Sequence, residues 1–345
     1  MARTKEKISL SVIAKELGVS PSTVSRVINE RTGVDEETRK RVFLRLKKYN
    51  YRTSYSRCYR DMIGIVTDSV ELCPYFSDIV SGANIAMKEL GFASAMIFHD
   101  QNSGEPLLQT LRNRQCAAAI LANVSVAESG GEFFTGLAES GLPVVIINRT
   151  VECKGVGYVS SSCTPGYQQL AEHLASLGHR NIGILAGNQN QPVHRHRLET
   201  LLDILRSRNF CCPDSHVVLP PSSWSPMRDG YLQLPQLLKR EPSITAIIAF
   251  NDEVAQGAIS AAVKMGLRIP QDLSIVGFDD YPSSAYLNPA LTTISLQMRE
   301  MGLLAVKSIA DVLKSNHRNE LVRLTLPTEL RIRDSTAAAA QRKKL

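Results

Sequence analysis

The stretch IAKELGVSPSTVSRVIN, residues 13–29, decides the fold of the N-terminal part of the chain. Apolar residues recur there with helical spacing, starting at Leu10, and predict a first helix that runs to about Leu17. Ser9 can cap this helix, because a serine hydroxyl accepts a hydrogen bond from a free N–H of the first turn. Gly18 then ends it, since glycine accepts the left-handed turn conformation.

A second helix is predicted directly after this turn. Ser20 can cap it, and Pro21 suits its first position, where the missing N–H costs little. Small Ala14 where two helices cross, glycine in the turn and an apolar stripe on the second helix are typical of a DNA-reading helix-turn-helix. A third helix, capped by Asp35 and running to about Tyr49, completes the predicted domain.

The positive charge of the chain is concentrated in this first segment. Residues 1–60 hold 15 of the 40 Lys and Arg residues but only 6 of the 33 Asp and Glu residues. The rest of the chain is slightly acidic, so the overall excess of +7 originates at the N-terminus. A compact basic module with a regular apolar pattern indicates contact with phosphates. The alternatives are a solvated basic tail and a three-helix domain that does not bind DNA.

The outward-facing residues of the second helix supply the expected DNA contacts. Arg26 is the best candidate for reading a base, because a guanidinium can bond guanine bidentately. Pro21 and Ser22 would meet base edges, whereas Thr38 would contact phosphate, which positions the protein without specifying sequence. The predicted contacts on the head are Ser9, Pro21, Ser22, Thr23, Ser25, Arg26, Asn29 and Thr38.

The remaining composition is that of a globular protein of two or three domains. The sequence has no run of roughly 18 apolar residues that would predict a membrane span, and its N-terminus lacks the apolar core of a secretory signal. The seven cysteines lack metal-ligand spacing and are expected to be reduced thiols. No nucleophile motif, phosphate loop or metal cluster stands out, so we expect neither an enzyme nor a cofactor.

After residue 61, apolar strand-like runs alternate with helical segments. The strand-like runs are 62–66, 93–98, 117–121, 144–147, 181–185, 246–250 and 273–277, and a helix is expected from about Tyr75 to Leu90. This alternation predicts parallel sheets, with ligands at the carboxyl ends of the strands. About 270 residues exceed one such sheet, so two α/β lobes with a cleft between them are expected.

Several motifs, taken in order, make the chain resemble the LacI/GalR family of repressors along almost its whole length. The motifs are residues 13–29, VDEETRKRV at 34–42, LGHR at 177–180, AFND at 249–252, VGFDD at 276–280 and PALTTI at 289–294. The resemblance implies a helix-turn-helix head on a two-lobed, periplasmic-binding-protein-like (type I) body with parallel sheets, which dimerises.

The resemblance also implies a division of the chain into domains. We expect a DNA-binding head at 1–49, a hinge at 50–61, a body at 62–334 and a basic, flexible tail at 335–345. Lobe one would comprise about 62–160 and 292–322, and lobe two about 161–291 and 323–334. The chain would then cross between the lobes near residues 160, 291 and 323.

The same resemblance suggests a site for a small effector, expected to be a sugar or related metabolite. The predicted effector residues are Tyr75, Phe76, Asn148, Arg197, Trp224, Asn251 and Asp279. A guanidinium at Arg197 and a carboxylate at Asp279 can each bond two vicinal hydroxyls, and an indole at Trp224 can stack on a sugar. The alternatives are a purely structural Arg197–Asp279 ion pair, a loop anchor at Trp224 and a core position for Phe76.

The hinge departs from the family pattern. Family members carry a hinge that folds on DNA and wedges a base step open with a leucine, whereas Tyr59 falls at that place here and Thr53 replaces a common proline. Tyr51 and Tyr59 are nevertheless the predicted hinge contacts with DNA. Ser162 and Thr200 also differ from the residues usual in lobe two. A regulator that has lost effector control therefore remains an alternative.

Together these observations predict a cytoplasmic, sequence-specific transcription regulator at the bacterial nucleoid, expected to act as a repressor. Its two heads would bind a near-palindromic, double-stranded operator as a homodimer. The C-terminal tail has no leucine heptads, so a dimer is predicted rather than a coiled-coil tetramer. A transport-type sugar-binding protein is the remaining alternative; it would need an export signal and no basic head.

Overall fold

The computed structural model describes residues 10–28, 33–48, 61–68, 74–99, 106–124, 130–221, 225–315 and 321–339. Within these ranges the chain forms a helical head and a body of two α/β lobes. The predicted contacts Ser9, Asn29, Tyr51, Tyr59 and Trp224 lie outside the described residues, as does the predicted hinge up to residue 60.

Three helices form the head: α1 (Leu10–Leu17), α2 (Pro21–Ile28) and α3 (Glu36–Lys48). The hydroxyl of Ser20 caps α2 by accepting a hydrogen bond from the N–H of Thr23 at 3.0 Å. Asp35 caps α3 in the same way, accepting from the N–H of Thr38 at 2.8 Å. The buried residues of the head are Ile13, Ala14, Leu17, Val24, Val27, Val42 and Leu46. The predicted helix-turn-helix is therefore confirmed.

The first part of the body alternates strands and helices. Its elements are β1 (Met62–Thr67), α4 (Pro74–Leu90), β2 (Ala93–Phe98), α5 (Leu107–Asn113), β3 (Ala118–Asn123), α6 (Gly130–Glu139), β4 (Val144–Ile147) and β5 (Val156–Ser162). Strand β4 is buried over its whole length, as expected of a strand that has cover on both faces of a parallel sheet.

The second part of the body continues the alternation. Its elements are α7 (Thr164–Ser176), β6 (Ile182–Leu185), α8 (Pro192–Ser207), β7 (Val217–Val218), α9 (Pro226–Arg240), β8 (Ala246–Ala249), α10 (Asp252–Lys264), β9 (Ser274–Asp279), β10 (Thr292–Ser295), α11 (Met298–Ser315), β11 (Arg323–Pro327) and β12 (Glu329–Arg331). Short 3-10 helices lie at Asp214–His216 and Pro282–Tyr286.

The strands form two six-stranded sheets, one in each lobe. Their orders are β11-β5-β4-β3-β1-β2 in lobe one and β12-β10-β9-β8-β6-β7 in lobe two. The neighbouring strands are parallel except for the antiparallel pair β10–β12. The α/β class and the two-lobed body are therefore as predicted.

Two of the predicted crossings between the lobes were wrong. Thr292–Ser295 was assigned to lobe one, but it pairs with β9 in the sheet of lobe two. Arg323–Pro327 was assigned to lobe two, but it pairs with β5 in the sheet of lobe one. The chain therefore passes to lobe one after β10 and returns after β11. The reason for the error is that both sheets use short apolar strands, so the pattern of a strand does not reveal which sheet it joins.

The predicted flexible tail also begins too early. Ser335 is fully buried in lobe two, where its hydroxyl donates to the carbonyl of Ile275 at 2.6 Å and accepts from the N–H of Thr292 at 2.8 Å. The N–H of Ala339 donates to the carbonyl of Leu177 at 2.8 Å. Residues 335–339 are thus an ordered part of lobe two because they satisfy its backbone groups; residues 340–345 lie outside the described ranges.

Candidate functional site

The exposed face of α2 carries the predicted base-reading residues. Pro21, Ser22 and Arg26 are exposed, while Thr23 and Ser25 are half-buried. The guanidinium Nη1 of Arg26 lies 4.0 Å from the point where a Cβ on Gly33 would stand, so its side chain leans over the turn that leads to α3. It is free to swing outward, because it remains exposed to solvent.

Two of the basic residues on α3 hold the head together. The Nη2 of Arg41 donates to the carbonyl of Leu17 at 3.1 Å, which satisfies a free carbonyl at the end of α1. The Nε of Arg45 lies 3.3 Å from the carboxylate of Glu16. These two arginines therefore contact α1 in the structure.

Lobe two brings Arg197 and Asp279 together at the carboxyl ends of its strands. Asp279 is the last residue of β9, and Arg197 projects from α8 so that its Nη2 lies 3.4 Å from Oδ1 of Asp279. Both side chains are buried. The guanidinium also lies over two aromatic rings, 4.2 Å from the centroid of Phe278 and 5.3 Å from that of Phe250. Stacking of this kind fixes the plane of the guanidinium.

The backbone at Asp279 is held in an unusual conformation. The φ angles of Asp279 and Asp280 are +106° and +58°, a region that side-chain-bearing residues rarely adopt. The phenol of Tyr281 donates a hydrogen bond to Oδ2 of Asp279 at 3.0 Å. Burial raises the pKa of Asp279 to about 6, although Arg197 and the Tyr281 hydroxyl pull the pKa down. Neighbouring Asp280 is paired with Arg333 at 2.6 Å.

The other predicted effector residues fall into different environments. Asn251 caps α10, with its side-chain oxygen accepting from the N–H of Val254 at 3.0 Å. Asn148, at the end of β4, has a φ of +56° and accepts from the hydroxyl of Ser161 at 3.1 Å. Tyr75 is half-buried near the start of α4. Their effector contacts remain predictions.

Phe76 is almost completely buried. Only 1% of its surface is exposed, and it packs in the hydrophobic core of the body with Ile79 and Ala83. This burial favours the core alternative, and an effector contact of Phe76 remains a prediction.

The sequence reasoning did not assign Asp252 and Phe250 to this site. Asp252 is fully buried and accepts hydrogen bonds from three groups of lobe two. Phe250 stacks on the His194 ring at a centroid distance of 4.2 Å, and burial lowers the pKa of His194 to about 4. Asp252 and Phe250 flank Asn251 in the motif AFND, so the motif itself was the available signal.

Comparison with known proteins agrees with this division of the chain. Residues 9–54 match the family model of bacterial regulatory proteins of the lacI family. Residues 171–336 match that of a periplasmic binding protein-like domain. The chain thus carries a LacI-family DNA-binding domain and a periplasmic binding protein-like domain.

Individual relatives extend this similarity over nearly the whole chain. The transcriptional repressor PurR of Actinobacillus pleuropneumoniae serotype 3 (strain JL03) is 29% identical over 310 residues, covering 88% of this chain and 90% of its own. A CelR–cellobiose complex has 26% identity and a TM-score of 0.68, covering 95% and 99% of the two chains. The lac repressor dimer bound to operator and an anti-inducer has 25% identity and a TM-score of 0.68, covering 96% and 100%.

The chain is therefore a DNA-binding transcription regulator, and its relatives and structural neighbours are transcriptional regulators of the LacI family rather than enzymes. Within the described ranges, no helix is both long enough and apolar enough to span a bilayer.

Proposed function

We propose that this chain is a cytoplasmic repressor whose affinity for its operator is controlled by a small polyol of the sugar class bound in the cleft between the lobes. The observation that carries the proposal is the buried Arg197–Asp279 pair at the strand ends of lobe two. A guanidinium and a carboxylate present donors and acceptors side by side, which matches two vicinal hydroxyls. Parallel α/β sheets bind ligands at this edge.

The environment of the pair supports a ligand role over a purely structural one. Burying two charges costs several kcal/mol per ion, on the order of what their attraction returns, so such pairs contribute little to stability. The strained backbone at Asp279 and Asp280 adds a further cost of about 1–3 kcal/mol per residue, and strain of this kind clusters at ligand sites. The CelR–cellobiose complex among the structural neighbours is consistent with a sugar.

DNA binding would use two heads of a homodimer. The recognition helix α2 of each head would enter one major groove of a near-palindromic operator, with Arg26 reading a base. Effector binding would change the angle between the lobes and with it the spacing of the heads. Coupling of this kind is typically about 1–3 kcal/mol, equivalent to a change in operator affinity of about 5- to 150-fold.

A ligand screen tests the proposal. Selection from random duplexes would give an operator, and thermal-shift measurements would screen sugars, sugar acids, sugar phosphates and nucleosides. We expect one compound to raise the melting temperature and to change operator affinity. Asp279→Asn should abolish that response while operator binding persists. Asp272→Asn, in the exposed pair with Arg268, is the matched control and should respond like the wild type.

The outcomes separate the proposal from its rivals. Unchanged ligand response in Asp279→Asn would place the site elsewhere. Unfolding of Asp279→Asn would favour the structural ion pair. Operator binding without any response across the panel would favour a regulator independent of an effector.

A further inference from the structure

Asp252 holds together the loop that follows β9 and the strand that leads out of lobe two. Its Oδ2 accepts from the backbone N–H of Tyr281 at 2.8 Å and from the hydroxyl of Ser284 at 2.6 Å. Its Oδ1 accepts from the hydroxyl of Thr293 on β10 at 2.5 Å. One buried carboxylate at the start of α10 thus bonds a loop and a strand that lie 29 to 41 residues further along the chain.

The first of these bonds fixes the residue that contacts Asp279. Tyr281 links Asp252 to Asp279. Its backbone N–H donates to Asp252, and its phenol donates to Oδ2 of Asp279 at 3.0 Å. Tyr281 directly follows the two residues with positive φ. Such a conformation persists only where the surroundings hold it. The anchor on Tyr281 is therefore well placed to keep Asp279 in position for Arg197.

The bond from Thr293 to Asp252 lies close to the connection between the lobes. Thr293 lies in β10, whose last residue, Ser295, is paired with Asp279 across the sheet. The chain then enters α11, which packs against α4 of lobe one; the close contact between Gly82 and the carbonyl of Arg299 illustrates how near the two helices are. Asp252 consequently bonds both the loop beside the predicted effector pair and the strand that leads to lobe one.

We infer that Asp252 is a positioning residue for the effector site, which orients Asp279 through Tyr281 and ties this loop to the strand that connects the lobes. The inference rests on the proposed function, since it concerns the same site. A carboxylate can accept from all three donors at once, whereas an amide can accept only at its single oxygen. Burial raises the pKa of Asp252 to about 7, while the hydrogen bonds from Ser284, Thr293 and Tyr281 lower it.

Hydrogen exchange of the full-length protein without any ligand tests the inference. In Asp252→Asn we expect amides of Tyr281–Tyr286 and Thr292–Ser295 to exchange about tenfold faster or more, because an amide cannot accept all three of these hydrogen bonds. Amides of β6 and β8 in the same lobe should keep their protection. Asp272→Asn, in the pair with Arg268 of the same lobe, is the control and should leave all four segments unchanged.

Two further variants apply if Asp252→Asn does not fold. Ser284→Ala should speed amide exchange in Tyr281–Tyr286 only, and Thr293→Val should speed it in Thr292–Ser295 only. Equal acceleration in every strand of lobe two would indicate general destabilisation and overturn the inference. Unchanged exchange in both segments would overturn it as well.

A binding measurement separates the inference from the proposed function. D-Ribose and cellobiose, together with the compounds of the screen, would be titrated into the wild type and the variants. A dissociation constant at least tenfold higher in Asp252→Asn, but unchanged in Asp272→Asn, supports positioning of the site. If exchange is faster only in the two segments but the wild type binds none of these compounds, the proposed effector control is contradicted. The result would still establish that Asp252 anchors the loop.

Discussion

At the scale of single residues, Gly277 is required by the carboxylate beside it. A Cβ at this position would lie 2.2 Å from Oδ1 of Asp252 and 2.9 Å from a methyl group of Leu291. Gly277→Ala should therefore destabilise the protein by about 1–3 kcal/mol, the usual cost of overpacking a core. Urea unfolding measures this loss.

The matched control for this substitution is Gly136 in α6. A Cβ there would meet nothing within 4 Å. Gly136→Ala should stabilise the protein by up to about 1 kcal/mol, because alanine loses less conformational entropy in a helix. Equal effects of the two substitutions would contradict the close-approach explanation for Gly277.

Arg26 carries the residue-scale prediction for the head. It is exposed on α2, and a guanidinium can bond a guanine edge with two hydrogen bonds. Arg26→Ala should cost about 1–3 kcal/mol of operator binding and relax specificity at one base pair. Binding to the operator and to single-base variants measures both effects. Arg112→Ala, on the body, should change neither, and a uniform loss across all sequences would indicate a phosphate contact instead.

At the scale of elements, the C-terminal segment 335–339 is held by a buried histidine. His179 donates through Nε2 to the carbonyl of Ala337 at 2.9 Å, which leaves Nδ1 to accept from the hydroxyl of Thr245 at 2.8 Å. The neutral ring satisfies both hydrogen bonds. Burial accordingly lowers the pKa of His179 below its usual value near 6.5.

The sign of the resulting pH dependence follows from this lowered pKa. Below pH 6.5 the unfolded chain binds a proton at His179 that the folded chain does not, so stability should fall as the pH drops below that value. Urea midpoints between pH 7.5 and pH 5 should therefore decrease more steeply in the wild type than in His179→Gln. Exposed His196→Gln should keep the wild-type slope; identical slopes in all three proteins would refute the assignment.

At the scale of the whole molecule, exposed apolar side chains on α9 and α10 suit an interface with a second copy. Met227, Leu232 and Val263 are 50%, 46% and 60% exposed, respectively, on neighbouring helices of lobe two. We expect light scattering to give the mass of a dimer. Leu232→Asp combined with Val263→Asp should yield monomers with weakened operator binding, since one head then contacts one half-site. A tetrameric wild type would contradict the prediction.

The sequence alone determined the local features of this protein, because they depend on residues close together in the chain. Ser20, Gly18 and Asp35 act through their own turns, and the apolar runs formed the expected strands. Arg197 and Asp279 were also assigned to one site from the sequence, and the structure brings these two residues together.

Only the tertiary structure decided which strand joined which sheet and which polar groups became buried together. The sequences of β10 and β11 do not reveal which sheet each strand joins, because pairing depends on residues that are distant in the chain. β5 and β11 pair although they are more than a hundred residues apart. The role of Asp252 was hidden for the same reason: its donors come from residues 281, 284 and 293. A carboxylate has the same appearance in sequence whether it is solvated or enclosed, and only packing distinguishes the two.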